Sequence, residues 1–223
     1  MTVFRIASLT GPSRLFLFCA VLMTAATMAL AADADDVVKN MQKTYRKANT
    51  MQIEFQEVTR FKFTGTESSV SGTLVMAGKD RFRFTTEDQI LVSDGKTLWR
   101  FNKIENQILV DEAREGEQDE FLNTFLIELK DHYYSQLVEE YKADGKTIFV
   151  LKLTPKPSEQ SPFTDIRVWV EDDTWRVRKL VYTRYNGDET EYRIDTLAFN
   201  PEIPDSVFAL TPPEGTRVID LRF

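Results

Sequence analysis

The stretch Phe82-Arg83-Phe84, followed by Gln89-Ile90-Leu91-Val92-Ser93-Asp94-Gly95-Lys96-Thr97-Leu98-Trp99-Arg100-Phe101, decides how this chain is read. Three apolar or alternating runs follow one another closely, and the last two meet at Asp94-Gly95. An Asp-Gly pair between β-formers is the strongest short-range hairpin signal, because both central positions of a type I′ turn need positive φ. The stretch therefore predicts a tight antiparallel meander carrying large apolar side chains. Those side chains either close a core or line a container.

Outward from the meander, the pattern stays β-rich. Met51, Ile53 and Phe55 alternate with Gln52 and Glu54, a half-buried strand, and Val70 to Met76 reads as the next one. Turns are expected at Thr64-Gly65-Thr66-Glu67-Ser68 and at Ala77-Gly78-Lys79-Asp80. After Gln107 to Val110 the pattern breaks: Asp111 to Glu120 holds six acids and one arginine, which reads as a solvated loop. Phe121, Leu122, Phe125, Leu126 and Leu129 then fall on one face of a short helix, too short to stand without packing on the sheet. Further strands follow, with hairpins expected at Asp144-Gly145 and Asn186-Gly187 and a last short run at Val218-Ile219.

Two more segments frame the sheet. Val37, Met41 and Tyr45 recur every four residues from Asp33 to Asn49, predicting an amphipathic helix that Asp33 caps and that Asp35 and Asp36 favour by charge. Before it, Arg5 and Arg14 precede an apolar run from Leu15 to about Leu30, and Ala29-Leu30-Ala31 has the small-x-small form of a cleavage site. Residues 1–31 are thus expected to be a cleaved signal peptide, with 32–223 as one domain. Cys19 follows Phe18 rather than a small residue, which speaks against lipidation there.

The 223-residue length and 42% hydrophobic content suit one sizeable core. The net charge is −7; removing two arginines and no acid leaves 26 basic against 35 acidic residues, or −9. Such a chain is a poor candidate for nucleic acid or an anionic membrane surface. Cleavage also removes the only cysteine, and with it any disulfide or thiol chemistry. His132, the only histidine, supports neither a triad nor a zinc pair, and no nucleophile elbow or phosphate loop is present. No catalytic residue, metal or cofactor is expected. A hydrolase working by carboxylates alone would rest only on the acid count.

About ten or eleven antiparallel strands joined by tight hairpins, with two helices, predict an α+β fold dominated by one large curled sheet. A barrel of that strand number is either filled by its own side chains or encloses more space than they fill.

Four stretches resemble the LolA family of lipoprotein carriers: Ile53-Glu54-Phe55-Gln56; Gly72-Thr73-Leu74; Ile90 to Trp99; and Thr211-Pro212-Pro213-Glu214-Gly215. The resemblance implies an incomplete antiparallel barrel with an α-helical lid over a hydrophobic cavity, and no enzymatic activity. It implies a monomeric periplasmic carrier that takes acylated lipoproteins from the inner-membrane transporter LolCDE to the outer-membrane receptor LolB. By position it places Phe82, Phe84 and Leu91 on the cavity wall, and Val37, Met41, Tyr45, Phe121, Phe125, Leu126 and Leu129 in the lid. The family's usual arginine and proline before the phenylalanine strand, of which the arginine holds the lid shut, are replaced here by Ala77-Gly78-Lys79-Asp80. That departure leaves open a binding module of the same fold that carries another lipid or senses mislocalised lipoproteins.

Overall fold

The computed structural model describes residues 33–78, 80–113, 129–157 and 161–222. The expected signal peptide, Lys79, most of the acidic loop, and Phe121, Phe125 and Leu126 lie outside the described residues.

Helix α1 spans Ala34–Lys47. Asp33 caps it, its carboxylate accepting the Asp35 N–H at 3.0 Å, while Arg46 and Lys47 sit in the last turn where the helix dipole favours cations. Twelve strands follow: β1 Thr50–Arg60, β2 Glu67–Ala77, β3 Arg81–Thr86, β4 Gln89–Asp94, β5 Thr97–Asn102 and β6 Gln107–Glu112, then β7 Tyr133–Ala143, β8 Lys146–Pro155, β9 Phe163–Glu171, β10 Val177–Arg184, β11 Glu189–Phe199 and β12 Arg217–Asp220. One turn of helix, α2 (Leu129–His132), precedes β7, and a 3-10 turn at Asp205–Phe208 precedes β12.

All twelve strands form one sheet in the order β12-β6-β5-β4-β3-β2-β1-β11-β10-β9-β8-β7. Its ends, β12 and β7, are not partners, so the sheet is open. Every pairing is antiparallel except β12 on β6, which is parallel from Arg217↔Gln107 to Asp220↔Val110. The eleven antiparallel strands fit the number expected, and β12 is the last short run expected at Val218-Ile219, here paired in parallel. It returns through a long connection rather than a hairpin, so turn chemistry does not announce that pairing.

The hairpin turns divide. At Asp144-Gly145 both residues have positive φ (51° and 76°), as a type I′ turn needs. At Asp94-Gly95 only Gly95 does (91°). There the Asp94 carboxylate accepts the N–H groups of Lys96 (2.8 Å) and Thr97 (2.7 Å), and a side-chain turn does the work of the second positive φ.

Register sorts the side chains onto two faces. Met51, Ile53 and Phe55 of β1 lie opposite Met76, Leu74 and Gly72 of β2. Phe82 and Phe84 of β3 continue that face, with Leu91 opposite Phe84. The main apolar cluster is built here and extends through β8, β9, β10 and β11. A second cluster of Phe101, Ile108 and Val110, with Ile90, Trp99 and Leu210 against it, occupies the other face of the β4–β6 wing. Among the described residues no helix is long and apolar enough to cross a membrane.

Candidate functional site

The main apolar face is the surface that the sequence points to. Phe82 and Phe84 are both buried in it, while Arg81 and Arg83 alternate to the opposite side. Leu91 is half-buried and packs against the same cluster. From α1, Val37, Met41 and Tyr45 are buried in that cluster, and so is Leu129 of α2. Each such side chain contributes about 1.5–3 kcal/mol on burial, which is what holds a 14-residue helix to a sheet. The structure therefore brings every described member of the expected set onto one surface.

It also adds Tyr192, Tyr182 and Phe163, which the sequence reading did not single out. Phe84, Phe55, Tyr192, Tyr182 and Phe163 form a row of rings across β3, β1, β11, β10 and β9. Successive centroids are 5.5, 5.8, 6.3 and 4.5 Å apart, within the range of favourable aromatic pairs. The row skips β2, and Gly72 is the reason. A Cβ at Gly72 would lie 2.4 Å from Cζ of Phe55, so only glycine leaves room for that ring to lie across β2 and stack on Phe84. Alternation in β1 marked Phe55 as inward; nothing local in β10 or β11 marks Tyr182 and Tyr192 as its neighbours.

Tyr45 joins the cover to the sheet. Its hydroxyl accepts the Val177 N–H at 3.1 Å, and its ring meets Phe199 edge-on at 5.2 Å. Burial pushes the hydroxyl pKa far above the usual tyrosine range, although the Val177 hydrogen bond and nearby Arg176 work against that shift. Arg176 itself lies 5.6 Å from the Phe199 ring centroid. In the segment where the family arginine is absent, Gly78 has φ +66° and faces open space where a side chain would stand. Phe82 and Phe84 are thus reached from α1 through packing, not through an arginine on the β2–β3 turn.

The motif residues have local explanations. Ser93 Oγ donates to the Asp80 carbonyl at 2.8 Å and accepts the Gly95 N–H at 3.1 Å, tying the β4–β5 turn to the start of β3. Asn106 donates to the Gly215 carbonyl (3.2 Å) and accepts from Thr216 Oγ1 (2.9 Å), which sets β12 beside β6.

Residues 46–211 match the family model described as outer membrane lipoprotein carrier protein LolA. An uncharacterized protein of Methanocaldococcus jannaschii is 25% identical over 92% of this chain, and the chain spans only 58% of that relative. The outer-membrane lipoprotein carrier protein of Pasteurella multocida is 24% identical, with 84% of this chain and 88% of that protein covered. In fold, an uncharacterized conserved protein from Thermus thermophilus is similar at a TM-score of 0.57 and 11% identity, with 84% of this chain and 98% of that one covered. With a family model covering most of its length, the chain belongs to the LolA family.

Proposed function

We propose that the protein is a periplasmic carrier that binds the acyl chains of lipoproteins released from the inner membrane and delivers them to the outer membrane. One observation carries the reading: a continuous aromatic and aliphatic face is covered by a helix that packs on it through an apolar stripe. Each methylene removed from water is worth about 0.8 kcal/mol, so a few long acyl chains demand a large apolar surface. A fixed, open surface of that size would aggregate. A helical cover protects the face between loads and exchanges its own apolar contacts for those of the cargo when it lifts. In this reading Phe82, Phe84 and Leu91 form the wall together with Phe55 and the tyrosines of β10 and β11. Val37, Met41, Tyr45 and Leu129 are the lid, joined by Phe121, Phe125 and Leu126, and the open sheet curls into the incomplete barrel of the family.

Residues 1–31 direct the chain out of the cytoplasm and are removed. LolCDE loads the carrier and LolB unloads it. No step requires a catalytic group. The relatives named as outer-membrane lipoprotein carriers support the cargo class.

Native mass spectrometry of the mature protein, isolated from a periplasmic extract, should return masses of the chain with acylated cargo. Apo mass alone, under conditions where an established carrier keeps its cargo, would remove the proposal. Phe84→Ala should weaken cargo binding without unfolding the sheet; binding equal to wild type would show that this face is not the wall.

The segment Ala77 to Asp80 favours one alternative. With no arginine on that segment to shut the lid, Tyr45 is one of the polar contacts between α1 and the sheet, and cargo of another lipid class fits such a cover. Co-purified phospholipid or glycolipid, together with failure to accept lipoprotein from LolCDE, would select that reading.

A further inference from the structure

Among the described residues, the most exposed large apolar side chain stands at a hairpin tip. Phe63 is 99% exposed at the tip of the β1–β2 hairpin, with Phe61 39% exposed beside it in sequence. Tyr185, 76% exposed, sits at the tip of the β10–β11 hairpin. Because β1 pairs with β11 up to Arg60↔Glu189, the two tips emerge side by side at one end of the sheet.

These tips are built, not loose. The Gly65 N–H donates to the Phe61 carbonyl and the Phe61 N–H to the Thr66 carbonyl, both at 2.9 Å, and Gly65 supplies the positive φ of 68°. In the other tip Gly187 donates to the Arg184 carbonyl at 2.8 Å and Arg184 donates to the Asp188 carbonyl at 2.8 Å. The tips are joined to each other. The Lys62 N–H donates to Asp188 Oδ1 at 2.9 Å, and the Lys62 stem lies so close over Gly187 that a Cβ there would meet Lys62 Cδ at 2.3 Å.

Charge is sorted as well. Residues 61–66 carry only Lys62, and residues 185–188 only Asp188, whose carboxylate accepts the Lys62 N–H and the Asn186 side-chain amide. The next row back holds Glu67 and Glu189, both paired with Arg60 at 3.0 Å. The chain thus presents its most apolar projection with its nearest acids hydrogen-bonded or sharing the Arg60 guanidinium behind it.

We propose that the paired hairpin tips are a membrane-contact site, at which Phe63, with Phe61 and Tyr185, enters the headgroup region of a phospholipid bilayer. A protein partner fits the shape less well. Partly exposed side chains of three aromatic residues, each of about 150–250 Å² in full, fall short of the roughly 800 Å² per partner of a specific interface. The tips are convex, and a deformable lipid surface accepts a convex apolar point without a matching pocket. Aromatic rings with polar neighbours favour that depth, and a lysine with a long stem suits the headgroups around them. The site would hold the carrier at a bilayer while its covered face exchanges cargo. Its purpose rests on the carrier reading, but the contact itself does not.

The test uses the full mature protein and extruded vesicles of phosphatidylethanolamine with phosphatidylglycerol as the minor lipid. Wild type should co-sediment, and Phe63→Asp should bind at least about tenfold more weakly, as the loss of one inserted ring predicts. Phe63 touches no core cluster, so the variant should keep its thermal transition and its cargo loading. In a Phe63→Trp variant, vesicles with brominated acyl chains should quench emission beyond the quenching of the three native tryptophans in wild type. The proposal is overturned if wild type does not sediment with these vesicles, including the case where it does so only when a membrane protein is reconstituted in them. It is equally overturned if Phe63→Asp binds as well as wild type, or if the introduced tryptophan is not quenched. Because cargo loading is measured separately, loss of vesicle binding with loading intact leaves the carrier reading standing, and the converse result removes only that reading.

Discussion

Among the described residues, α1 and the segment between β11 and β12 cover opposite faces of the sheet, and they are attached in different ways. Helix α1 covers the main apolar face through Val37, Val38, Met41 and Tyr45, and the sheet adds side-chain hydrogen bonds, among them Val177 N–H to the Tyr45 hydroxyl and Ser135 Oγ to Asp35 at 3.3 Å. The segment between β11 and β12 covers the other face of the β3–β6 wing. It buries Phe208, packs Leu210 on the second cluster, and receives hydrogen bonds from Arg83 at the carbonyls of Val207 and Ala209 (3.3 and 3.4 Å). It then runs into a strand ladder on β6. A cover made of apolar contacts can be exchanged for other apolar contacts at little cost. A cover made of backbone hydrogen bonds cannot, because lifting it leaves main-chain groups without partners. The contrast separates a part suited to moving from a part suited to staying.

The strongest way to break the contrast is to charge the apolar stripe. Met41 is fully buried against the sheet, and Met41→Asp should cost about 4 kcal/mol or more, since it loses the side chain's burial and places a carboxylate in an apolar site. If α1 is the separable cover, the loss appears first as α1 amides exchanging with solvent while the β1, β9 and β10 amides stay protected. Hydrogen exchange that rises equally in helix and sheet would show that the two unfold as one unit. Phe208→Ala tests the other cover. Truncating a ring that is 2% exposed should cost about 3 kcal/mol, measured by chemical denaturation, with exchange increasing in β12 and not in α1.

What local sequence could and could not foresee follows the same division. The family resemblance placed Phe82 and Phe84 on the cavity wall, and a strand's period of two, a local property, then sends Arg81 and Arg83 to the other side. The periodicity and capping aspartate of α1 were equally readable. Nothing local in the C-terminal segment shows its cover role, since that role depends on Arg83 and the second cluster, which lie about a hundred residues earlier. The aromatic row escaped notice for a similar reason. Phe55 and Tyr192 become neighbours only through the pairing of β1 with β11, and that pairing is set by the whole sheet. Gly72 could have been a signal: a glycine in the middle of a strand pattern often marks a close approach, here by the Phe55 ring. The Asp94-Gly95 pair was read as a hairpin correctly and as a turn type wrongly, because aspartate can cap a turn through its carboxylate without adopting positive φ.

A smaller effect sharpens the description of α1. Tyr45→Phe leaves the buried Val177 N–H without its acceptor and should cost about 1.5 kcal/mol at neutral pH. It should also change the alkaline limb of the stability curve. Folded Tyr45 keeps its proton where an unfolded tyrosine, with a pKa of about 10, begins to lose it. Its contribution is therefore complete below about pH 10 and declines as pH rises further. In the variant that decline is absent, so stability should fall less steeply above about pH 10 than in wild type. Parallel alkaline limbs would mean that the tyrosine is not held neutral by burial.

The smallest expected effect concerns the ion pair that links β3 to the C-terminal cover. Arg81 Nη1 lies 2.7 Å from Asp205 Oδ1, but the Asp205 side chain is 88% exposed, and an exposed pair of this kind is worth about 0.5 kcal/mol or less. Asp205→Asn should shift the denaturation midpoint by no more than that. High salt should erase most of the difference. The guanidinium would remain 5.0 Å from the Phe208 ring centroid, and Arg83 would keep its carbonyl acceptors. A loss as large as that of Phe208→Ala would reverse the conclusion about this face. The outward arginines of β3 would then be holding the cover by charge, and a cover held by charge could be released by ionic strength or by a competing anion, much as the apolar cover is proposed to be released by lipid.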